Sequence, residues 1–447
     1  MTSTMTKKPV ESYSVYTGIS ELKRIRTSTS IAFDTETLQI QPEKGKLRLI
    51  QLGCNLTKSI VVIDCFDLTH EDWDILKQFF HSIDRFWLAH NAVFDLGWLQ
   101  EHDIYPKGHV KCSFLANRLL YNGITGVKHG LDAVSKKHLD IVVSKEQQKS
   151  NWGAEILSTE QLTYAAKDIE ILLRLDNVLN SKIMKADLFN AYHLECKVLP
   201  AMAQMWRVGL PWNREELEQC RTDYEDDIKE LGNEFLRELD NDLPSGEKLP
   251  RNEDGSFNLR AKDQGSKRLG TKKYAGFNIK SSKQLLEKLT LILPKPPMDS
   301  EGKPSVSKEA LRLCAADSQT VQTLMTWKRR EKRRQMAESI QDKLSEDGFV
   351  KASYMQLGAD TGRMSSIKPN NQQIPRDSEF RQCVQAPKGW KIVDADFSQM
   401  ELRLAAALAN DRNMIKAFQS GEDLHEYTAN QMGCERQIAK SANFGLL

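Results

Sequence analysis

The sequence predicts an α/β domain, followed by a mostly α-helical region and then a partial α+β region. Between residues 21 and 186, short runs rich in Ile, Val and Leu alternate with helical patterns, which is typical of a sheet covered by helices. Helical spacing of apolar residues dominates from residue 187 to 345. Between residues 391 and 403, a short apolar run with two acids leads into a further helical pattern. These changes divide the chain into an N-terminal tail and three regions: 1–20, 21–186, 187–345 and 346–447.

The composition excludes several classes of protein. At 447 residues, with 40% hydrophobic and 28% charged residues, the chain is long enough for about two or three domains with hydrophobic cores. Its eight cysteines include no Cys-x-x-Cys pair, which argues against a zinc ribbon and against a disulfide framework. No apolar run reaches membrane-spanning length, so we expect no membrane partner and a cytoplasmic protein. Because the formal net charge is only +2, any binding to nucleic acid must depend on local basic patches.

Acidic residues interrupt a predicted strand near the start of the chain. The run STSIAFDTETL predicts a strand in which Asp34 and Glu36 lie on one face, and Phe33 and Thr35 lie on the other. The runs LRLIQLGC and SIVVIDC predict further strands. The run RFWLAHNAVFDLGWL predicts a strand that leads into a helix bearing Asp95. Two carboxylates therefore point the same way, and a third follows a neighbouring strand.

A long helix is predicted near the end of this domain. The segment LSTEQLTYAAKDIEILLRL begins with a capping box formed by Ser158 and Gln161. Tyr164 and Asp168 are separated by one helical turn, so they share one face of this helix. The short segments FDTE, NAVFD and YAAKD follow one another in this order along the chain.

These three segments resemble the exonuclease motifs of the DEDD superfamily, tyrosine type, found in the proofreading domain of family A DNA polymerases. The resemblance implies a ribonuclease H-like fold that removes nucleotides from the 3′ ends of single-stranded DNA. It implies that Tyr164 orients the attacking water. It also implies two divalent ions, Mg2+ or Mn2+, bound by oxygen ligands that such hard cations prefer. The implied ligands are Asp34, Glu36, Asp95 and Asp168.

The middle region contains helices with recognisable ends. One helix is predicted to end at Gly209, with Pro211 just beyond it, and Asn213 is predicted to cap a long amphipathic helix. In the family, helices that follow the exonuclease domain build the thumb, which grips duplex DNA. Basic residues in the loop 244–276 and in the helical segment 327–335 could contact a phosphate backbone or face solvent. The sequence leaves both interpretations open.

Two acids in the stretch KIVDADFSQMELR mark the last region. If residues 391–397 form a strand, Asp394 and Asp396 share one of its faces. Ser398 then predicts a helix N-cap, and Glu401 completes a capping box. This pattern predicts a carboxylate at a strand end, next to the start of a helix.

The last predicted helix presents two cations and a ring on one face. Arg436, Lys440 and Phe444 recur every four residues. Like charges at this spacing destabilise a helix by roughly 0.2–0.5 kcal/mol, so the arrangement favours an anion next to them. A triphosphate along the cations, with its base on the ring, fits this geometry.

Three segments of the last region resemble, in order and spacing, the TGR segment, motif A and most of motif B of family A DNA polymerases: GADTGRMSSIKPNNQQIPR, KIVDADFSQMELR and RQIAKSANFGLL. The resemblance implies a partial palm with the first fingers helix, in which Asp396 holds both catalytic ions. It implies deoxynucleoside triphosphates and a DNA primer-template as substrates. The implied nucleotide-binding residues are Gln399, Glu401, His425, Arg436, Lys440 and Phe444. The implied DNA-binding residues are Arg363, Asn370, Gln372 and Arg403.

The resemblance extends to Leu447, just before the Tyr-Gly that completes motif B, and motif C does not occur in the sequence. We therefore expect the N-terminal part of a nucleoid-associated DNA-directed DNA polymerase with a 3′–5′ proofreading exonuclease. A second polypeptide could supply the remaining motifs, and we expect this chain alone to proofread but not to polymerise. Two alternatives stay open: a stand-alone exonuclease whose C-terminal half holds DNA, and a non-catalytic DNA-binding remnant.

Overall fold

The structure, a computed structural model, describes residues 13–40, 42, 45–143, 146–147, 150–259 and 276–445. The side chains of Ser378 and Phe444 lie outside this description. The described residues form two compact units, one that ends at Gln385 and one that begins at Ala386. In the described part of the chain, no helix has both the length and the apolar composition that crossing a bilayer requires.

A six-stranded mixed sheet forms the centre of the N-terminal domain. Its strands are β1 (Ser14–Thr17), β2 (Ser30–Thr37), β3 (Leu47–Cys54), β4 (Ser59–Asp64), β5 (Arg85–Ala89) and β6 (Gly108–Cys112). Their order across the sheet is β1-β4-β3-β2-β5-β6, and β3 is antiparallel to both of its neighbours. The strands predicted from apolar runs, β2 to β5, are confirmed. The two edge strands were not predicted, and β1 lies within the predicted N-terminal tail.

Helices cover both faces of this sheet. They are α1 (His70–His81), α2 (Val93–Glu101), α3 (Ser113–Leu120), α4 (Leu131–Leu139), α5 (Thr159–Lys185) and α6 (Phe189–Val208). On one face, Ile169 of α5 packs in a buried cluster with Ala32 and Leu49. On the other face, Phe33 belongs to a core shared with Leu96 of α2. The alternation along β2 therefore directs neighbouring side chains to different helices.

Local hydrogen bonds determine where α5 begins, as predicted. The Ser158 hydroxyl accepts a hydrogen bond from the backbone N–H of Gln161, and the Gln161 side chain accepts one from the backbone N–H of Ser158. Gln161 also donates from Nε2 to the Ser150 hydroxyl at 3.0 Å. Because this cap defines the first turn, it also defines which face of α5 carries Tyr164 and Asp168.

The junction after α6 follows the predicted stop and start signals. The helix ends at Gly209, which has a φ of 83°, a conformation that a side chain would strain. The next helix, α7 (Arg214–Asp242), begins at Asn213. The Asn213 side chain accepts hydrogen bonds from the backbone N–H groups of the first turn, at 3.0 and 3.1 Å. Both predicted helix ends are confirmed.

A pair of long helices dominates the region after this junction. α7 packs along α10 through a buried cluster that includes Phe235, Leu324 and Trp327. The bounds of the helices in this region are α8 (Ser282–Ile292), α9 (Lys308–Cys314) and α10 (Gln319–Gln341). This pair accounts for the helical spacing that the sequence shows between residues 187 and 345.

Short antiparallel strand pairs precede the end of the first unit. The pairs are β7 (Leu210–Pro211) with β8 (Phe349–Val350) and β9 (Ser353–Met355) with β10 (Ser365–Ile367), followed by α11 (Ser378–Gln382). The connection between β9 and β10 packs on the N-terminal domain. Leu357 is buried in that domain's core, and the Arg118 side chain donates from Nε to the Leu357 carbonyl at 3.1 Å.

The described residues of the second unit form helices α12 (Met400–Ala409), α13 (Arg412–Gln419), α14 (Leu424–Met432) and α15 (Arg436–Gly445). A small core of Leu402, Ala417 and Leu424 joins the first three helices.

The predicted strand at residues 391–397 is wrong. These residues have no regular secondary structure, and the side chains of Val393 and Phe397 are 86% and 79% exposed. A strand requires a neighbour that satisfies its backbone N–H and C=O groups, and the described residues of the second unit contain no other strand. The second predicted capping box is also wrong. The N-cap position of α12 is Gln399 rather than Ser398, and no side chain caps this end.

Candidate metal centre

Three carboxylates converge on one face of the sheet. Asp34 and Glu36 lie on the face of β2 that α5 covers, and Asp168 extends from α5 toward them. One carboxylate oxygen from each residue lies within 4.8 Å of the others. Asp168 is 5% exposed, whereas the two acids of the strand are half-buried. The register of β2 and the cap of α5 thus bring together acids that are far apart in the sequence.

A fourth carboxylate belongs to α2, which packs on the opposite face of the sheet. Asp95 lies in the first turn of this helix and is 2% exposed. The Thr35 hydroxyl donates a hydrogen bond to Asp95 Oδ1 at 2.6 Å. Asp95 is not one of the three acids within 4.8 Å. Burial is the largest cause of the raised pKa of Asp34 and of Glu36; the charge of Asp95 comes next at Asp34, and it comes after that of Asp168 at Glu36. Thr35 had not been predicted as a site residue, and its only signal is its position between two acids.

Tyr164 lies one turn before Asp168 on α5. A hydrogen bond from its hydroxyl lowers the pKa of the Asp168 carboxyl and opposes the larger effect of burial. Burial raises the pKa of Tyr164 well above its ordinary value, and the nearby charge of Asp168 adds to this effect. Tyr164 therefore keeps its proton at neutral pH. Its hydroxyl donates a hydrogen bond to Asp168 and has a lone pair available to accept another.

The four acids are costly to ionise together. Burial raises the pKa of Glu36 to about 8, and the charges of Asp168 and Asp95 contribute. Burial also raises the pKa of Asp95 to about 7 and that of Asp168 to about 7. The pKa of Asp34 is well above its usual value because of burial and the charges of its acidic neighbours. Positive charge at this centre would favour the ionised carboxylates.

This set of donors fits divalent cations. All of the donors are carboxylate oxygens, which hard cations of the Mg2+ type prefer. Asp168 Oδ1 is buried and has no hydrogen-bond partner among the described residues, so a buried acceptor is available to a ligand. Burial is the main cause of the raised pKa values, and repulsion between the carboxylates adds to it at Asp34 and Glu36; a bound cation would offset both effects. The group is therefore a candidate metal centre.

In the second unit, two of the predicted nucleotide-binding residues have protein partners. Arg436 forms an ion pair with Asp423 at 2.6 Å, and Asp423 also caps the start of α14. His425 is 3% exposed, and Asn443 Nδ2 donates to His425 Nδ1 at 3.0 Å. Lys440 is half-buried on α15. Phe444 belongs to α15, but its side chain lies outside the described residues.

The other predicted residues of this unit lie at the start of α12. Asp396 and Glu401 are exposed, and Gln399 has a φ of 49° at the N-cap position. Arg403 donates from Nε to the Ser398 carbonyl at 2.8 Å. Among the described residues, Asp396 is not part of any group of three acidic or histidine metal ligands. Its role in holding ions stays a prediction.

The predicted DNA-binding residues of the first unit flank β10. Arg363 is exposed, in the connection between β9 and β10. The Asn370 side chain accepts a hydrogen bond from the backbone N–H of Gln372 at 3.1 Å, and Gln372 Nε2 donates to the Met364 carbonyl at 3.2 Å. These contacts give the segment a defined local conformation, and its role toward DNA stays a prediction.

The structure describes only one of the two sets of basic residues that were predicted to contact a phosphate backbone or to face solvent. The basic residues singled out in the loop 244–276 lie outside the described residues: Arg260, Lys262, Lys267, Arg268, Lys272 and Lys273. In the helical segment 327–335, Arg330 pairs with Asp227 at 3.0 Å and Arg334 pairs with Glu331 at 3.2 Å. Acids of the protein therefore neutralise part of the charge of this segment.

Two family models match the chain in the order exonuclease, then polymerase. Residues 18–184 match the model described as 3′-5′ exonuclease, and residues 258–447 match DNA polymerase family A. The chain is 29% identical over 445 residues to DNA polymerase I of Aquifex aeolicus (strain VF5), a match covering 95% of this chain and 69% of that protein. It is 27% identical over 469 residues to DNA polymerase I of Pseudomonas aeruginosa, covering 95% of this chain and 47% of that protein.

A solved structure shares the fold of the chain. It is the POL domain of Pol1 from M. smegmatis in complex with DNA primer-template and dNTP, with a TM-score of 0.73 and 19% identity. The match covers 96% of this chain and 69% of that chain. The chain thus spans between 47% and 69% of the length of these polymerases. Relatives matched over 95% of the chain agree with this order of the two family models. Residues 18–184 therefore belong to the 3′-5′ exonuclease family, and residues 258–447 belong to DNA polymerase family A.

Proposed function

We propose that residues 21–186 form a divalent-metal-dependent 3′–5′ exonuclease that acts on single-stranded ends of DNA. The main support is the group of Asp34, Glu36 and Asp168, whose carboxylate oxygens lie within 4.8 Å of one another. Asp95 and Tyr164 complete a set of groups suited to hydrolysis of a phosphodiester. The match of residues 18–184 to the 3′-5′ exonuclease family supports the reaction class.

In this proposal, two Mg2+ or Mn2+ ions are held by Asp34, Glu36, Asp95 and Asp168. Bound there, such ions supply an activated water at neutral pH and stabilise charge on the leaving oxygen. Thr35 restrains Asp95 through the hydrogen bond at 2.6 Å, so it sets the direction of the other carboxylate oxygen.

Tyr164 acts on the attacking water in this proposal. Since its hydroxyl donates a hydrogen bond to Asp168, its oxygen can accept a hydrogen bond from the water and direct a water lone pair toward the phosphorus. The bond between the phosphorus and the 3′ oxygen of the preceding nucleotide then breaks. The products are a nucleoside 5′-monophosphate and a DNA strand shortened by one nucleotide.

The test compares two acid pairs with the same spacing. The double variant Asp34→Ala with Glu36→Ala should cleave a 5′-labelled single-stranded oligonucleotide at least about 10³-fold more slowly than the parent. The matched control, Asp394→Ala with Asp396→Ala, should cleave at the parental rate. Circular dichroism would establish that both variants are folded. Parental cleavage by the first variant would overturn the assignment of the site.

A second function is favoured by the match of residues 258–447 to DNA polymerase family A. We propose that residues 187–345 act as a thumb and residues 346–447 as a partial palm with the first fingers helix. Together they would take part in template-directed addition of deoxynucleotides to a primer, with Asp396 holding the catalytic ions. A protein with both functions would be found on cellular DNA, in the nucleoid.

Primer extension tests the polymerase proposal. The assay uses the variant that lacks Asp34 and Glu36, so that degradation does not mask synthesis. The assay is run with this chain alone and with a polypeptide bearing the remaining polymerase motifs. Primer extension in either case that is lost on Asp396→Ala would support the proposal. Extension that persists after Asp396→Ala would contradict the role of this acid, and Asp394→Ala is the matched control.

A further inference from the structure

A cavity of about 570 Å³ lies at the edge of the central sheet, apart from the acidic centre. It is bounded by the edge strand β6, the C-terminal part of α5 and the first half of α6. Asn180, which lines it, follows Asp168 by twelve residues on α5, which corresponds to about 18 Å along the helix. Its volume is within the range of pockets that bind small molecules. Neither proposed function uses this cavity.

Aromatic rings from the sheet and from a helix form one wall of the cavity. Phe86 and His109 are directly paired on β5 and β6, and their rings stack with centroids 5.9 Å apart. Phe189 and His193 lie one turn apart on α6 and stack at 5.9 Å, with 9° between their planes. The rings of His109 and His193, 5.5 Å apart, join the two pairs. The result is one continuous surface of four rings.

Much of this surface is open to solvent. Phe86 is 46% exposed and Phe189 is 50% exposed, and Met184 beside them is 61% exposed. Apolar side chains that are exposed in a concave region are typical of ligand sites. The exposed ring faces can accept a further planar ring by stacking.

The charge around the cavity is positive. Lys111 and Lys197 line it, and no acidic residue lines it among the described residues. Lys111 Nζ lies 4.9 Å from the centroid of the Phe86 ring and 3.3 Å from Asp176 Oδ1, so its charge is partly balanced. Lys197 is exposed on α6, four residues after His193. A ligand that is planar, aromatic and anionic therefore complements both the rings and the charge.

We propose that this cavity binds a nucleoside 5′-monophosphate, with its base on the ring surface and its phosphate toward Lys197. Aromatic side chains bind bases by stacking with little preference for the base, because every base has a π face. Lysine supplies the point charge that suits a phosphate. The proposal concerns a site distinct from the acidic centre and from the predicted nucleotide-binding residues of the second unit.

Histidine-ring NMR tests the proposal on the full chain. The protein carries Asp34→Ala with Glu36→Ala and is kept in EDTA, so that the acidic centre does not contribute to binding. The ring signals of His109 and His193 are assigned by substitution, and deoxyadenosine 5′-monophosphate is titrated. Both signals should shift together and saturate. Deoxyadenosine should bind more weakly, and ribose 5-phosphate should leave the signals unchanged. Absence of any shift, or equal shifts with ribose 5-phosphate, would overturn the proposal.

Surface variants separate stacking from charge. Phe189→Ala should weaken binding of deoxyadenosine 5′-monophosphate about tenfold. Lys197→Gln should weaken binding of the monophosphate but leave binding of deoxyadenosine unchanged. The matched controls are Leu194→Ala, a 62% exposed residue of α6 that does not line the cavity, and Lys185→Gln on α5. If Phe189→Ala binds as tightly as the parent, the ring surface is not the site. In the parental background, Phe189→Ala should retain exonuclease activity, which separates this proposal from the function of the acidic centre.

Discussion

The two pairs of closely spaced acids, one in each unit, have the same sequence pattern and different surroundings. Asp34 and Glu36 lie in a strand with neighbours on both sides, and they meet Asp168 from the helix that covers them. Asp394 and Asp396 lie in a segment without regular structure, next to apolar side chains that are mostly exposed. Alternation can place two acids on one face, but only neighbouring strands and a covering helix enclose them. The difference shows that enclosure, rather than spacing, makes the first pair a candidate metal centre.

Among single substitutions, the largest effect is expected from Tyr164→Phe, which removes a hydroxyl from the enclosed centre and keeps the ring. The rate of cleavage at saturating DNA should fall about 10- to 100-fold, because the attacking water loses its orientation. KM should change little, since the ring still fills its place. Steady-state kinetics on a 5′-labelled oligonucleotide would measure both. Tyr427→Phe, at a 47% exposed tyrosine of the second unit, is the control and should have no effect. An unchanged rate for Tyr164→Phe would remove this residue from the mechanism.

A smaller effect is expected from Thr35→Val, which removes the hydrogen bond to Asp95 and preserves the shape of the side chain. Apparent affinity for Mn2+ should fall about tenfold, because the hydroxyl that orients the Asp95 carboxylate is lost. The pKa of Asp95 should rise, since this hydrogen bond lowers it, and activity should shift to higher pH. Cleavage rates measured against Mn2+ concentration and pH provide the readout. Thr37→Val on the same strand, whose hydroxyl donates to the Gln39 carbonyl, is the control. Equal Mn2+ dependence in both variants would show that Thr35 is not a positioning residue.

The enclosed acids should make the stability of the metal-free protein depend on pH. In the unfolded chain these acids lose their protons at about pH 4. In the folded protein the pKa is about 7 for Asp95 and Asp168, and about 8 for Glu36. Between these values the folded protein binds more protons than the unfolded chain, so its stability should fall as pH rises from about 4 through about 8.

Thermal unfolding in EDTA across this pH range would measure the effect. Asp34→Asn with Glu36→Gln should flatten the pH dependence and raise the melting temperature at the alkaline end by a few degrees, about 2–4 °C per kcal/mol. Asp394→Asn with Asp396→Asn should leave the curve unchanged. Added Mg2+ should restore stability to the parent at the alkaline end. A pH dependence that is identical in the parent and the first variant would show that the acids are not enclosed as described.

The smallest effect is expected at the two predicted helix caps. Ser158→Ala should lower the free energy of unfolding by about 1 kcal/mol, because it removes the hydroxyl that accepts from the backbone of Gln161. Ser398→Ala should change it by less than about 0.5 kcal/mol, since α12 begins at Met400 without a side-chain cap. Urea unfolding followed by circular dichroism would measure both. Equal losses would mean that Ser398 caps α12 after all.

Features that depend on short stretches of chain follow from the amino-acid sequence alone. The ends of α5, α6 and α7 were predicted from Ser158, Gly209 and Asn213, because caps and left-handed glycines act within one helical turn. Strands β2 to β5 were predicted because their apolar residues are buried, and the alternation along β2 placed its two acids on the face that α5 covers. Motifs predict five residues of this centre, whereas Thr35 is not predicted, and the catalytic roles stay predictions; the five are Asp34, Glu36, Asp95, Tyr164 and Asp168.

Contacts between groups that are remote in the sequence depend on how the elements pack. The hydrogen bond between Thr35 and Asp95 joins a strand to a helix that packs on the other face of the sheet, and no local pattern specifies that partner. The ion pair of Arg436 with Asp423 likewise depends on how two helices pack. Residues 391–397 have the alternation of a strand but no neighbouring strand among the described residues of their unit, so their backbone is not paired. Local patterns act through hydrogen bonds and alternation within a segment, whereas pairing and burial require partners that other parts of the chain supply.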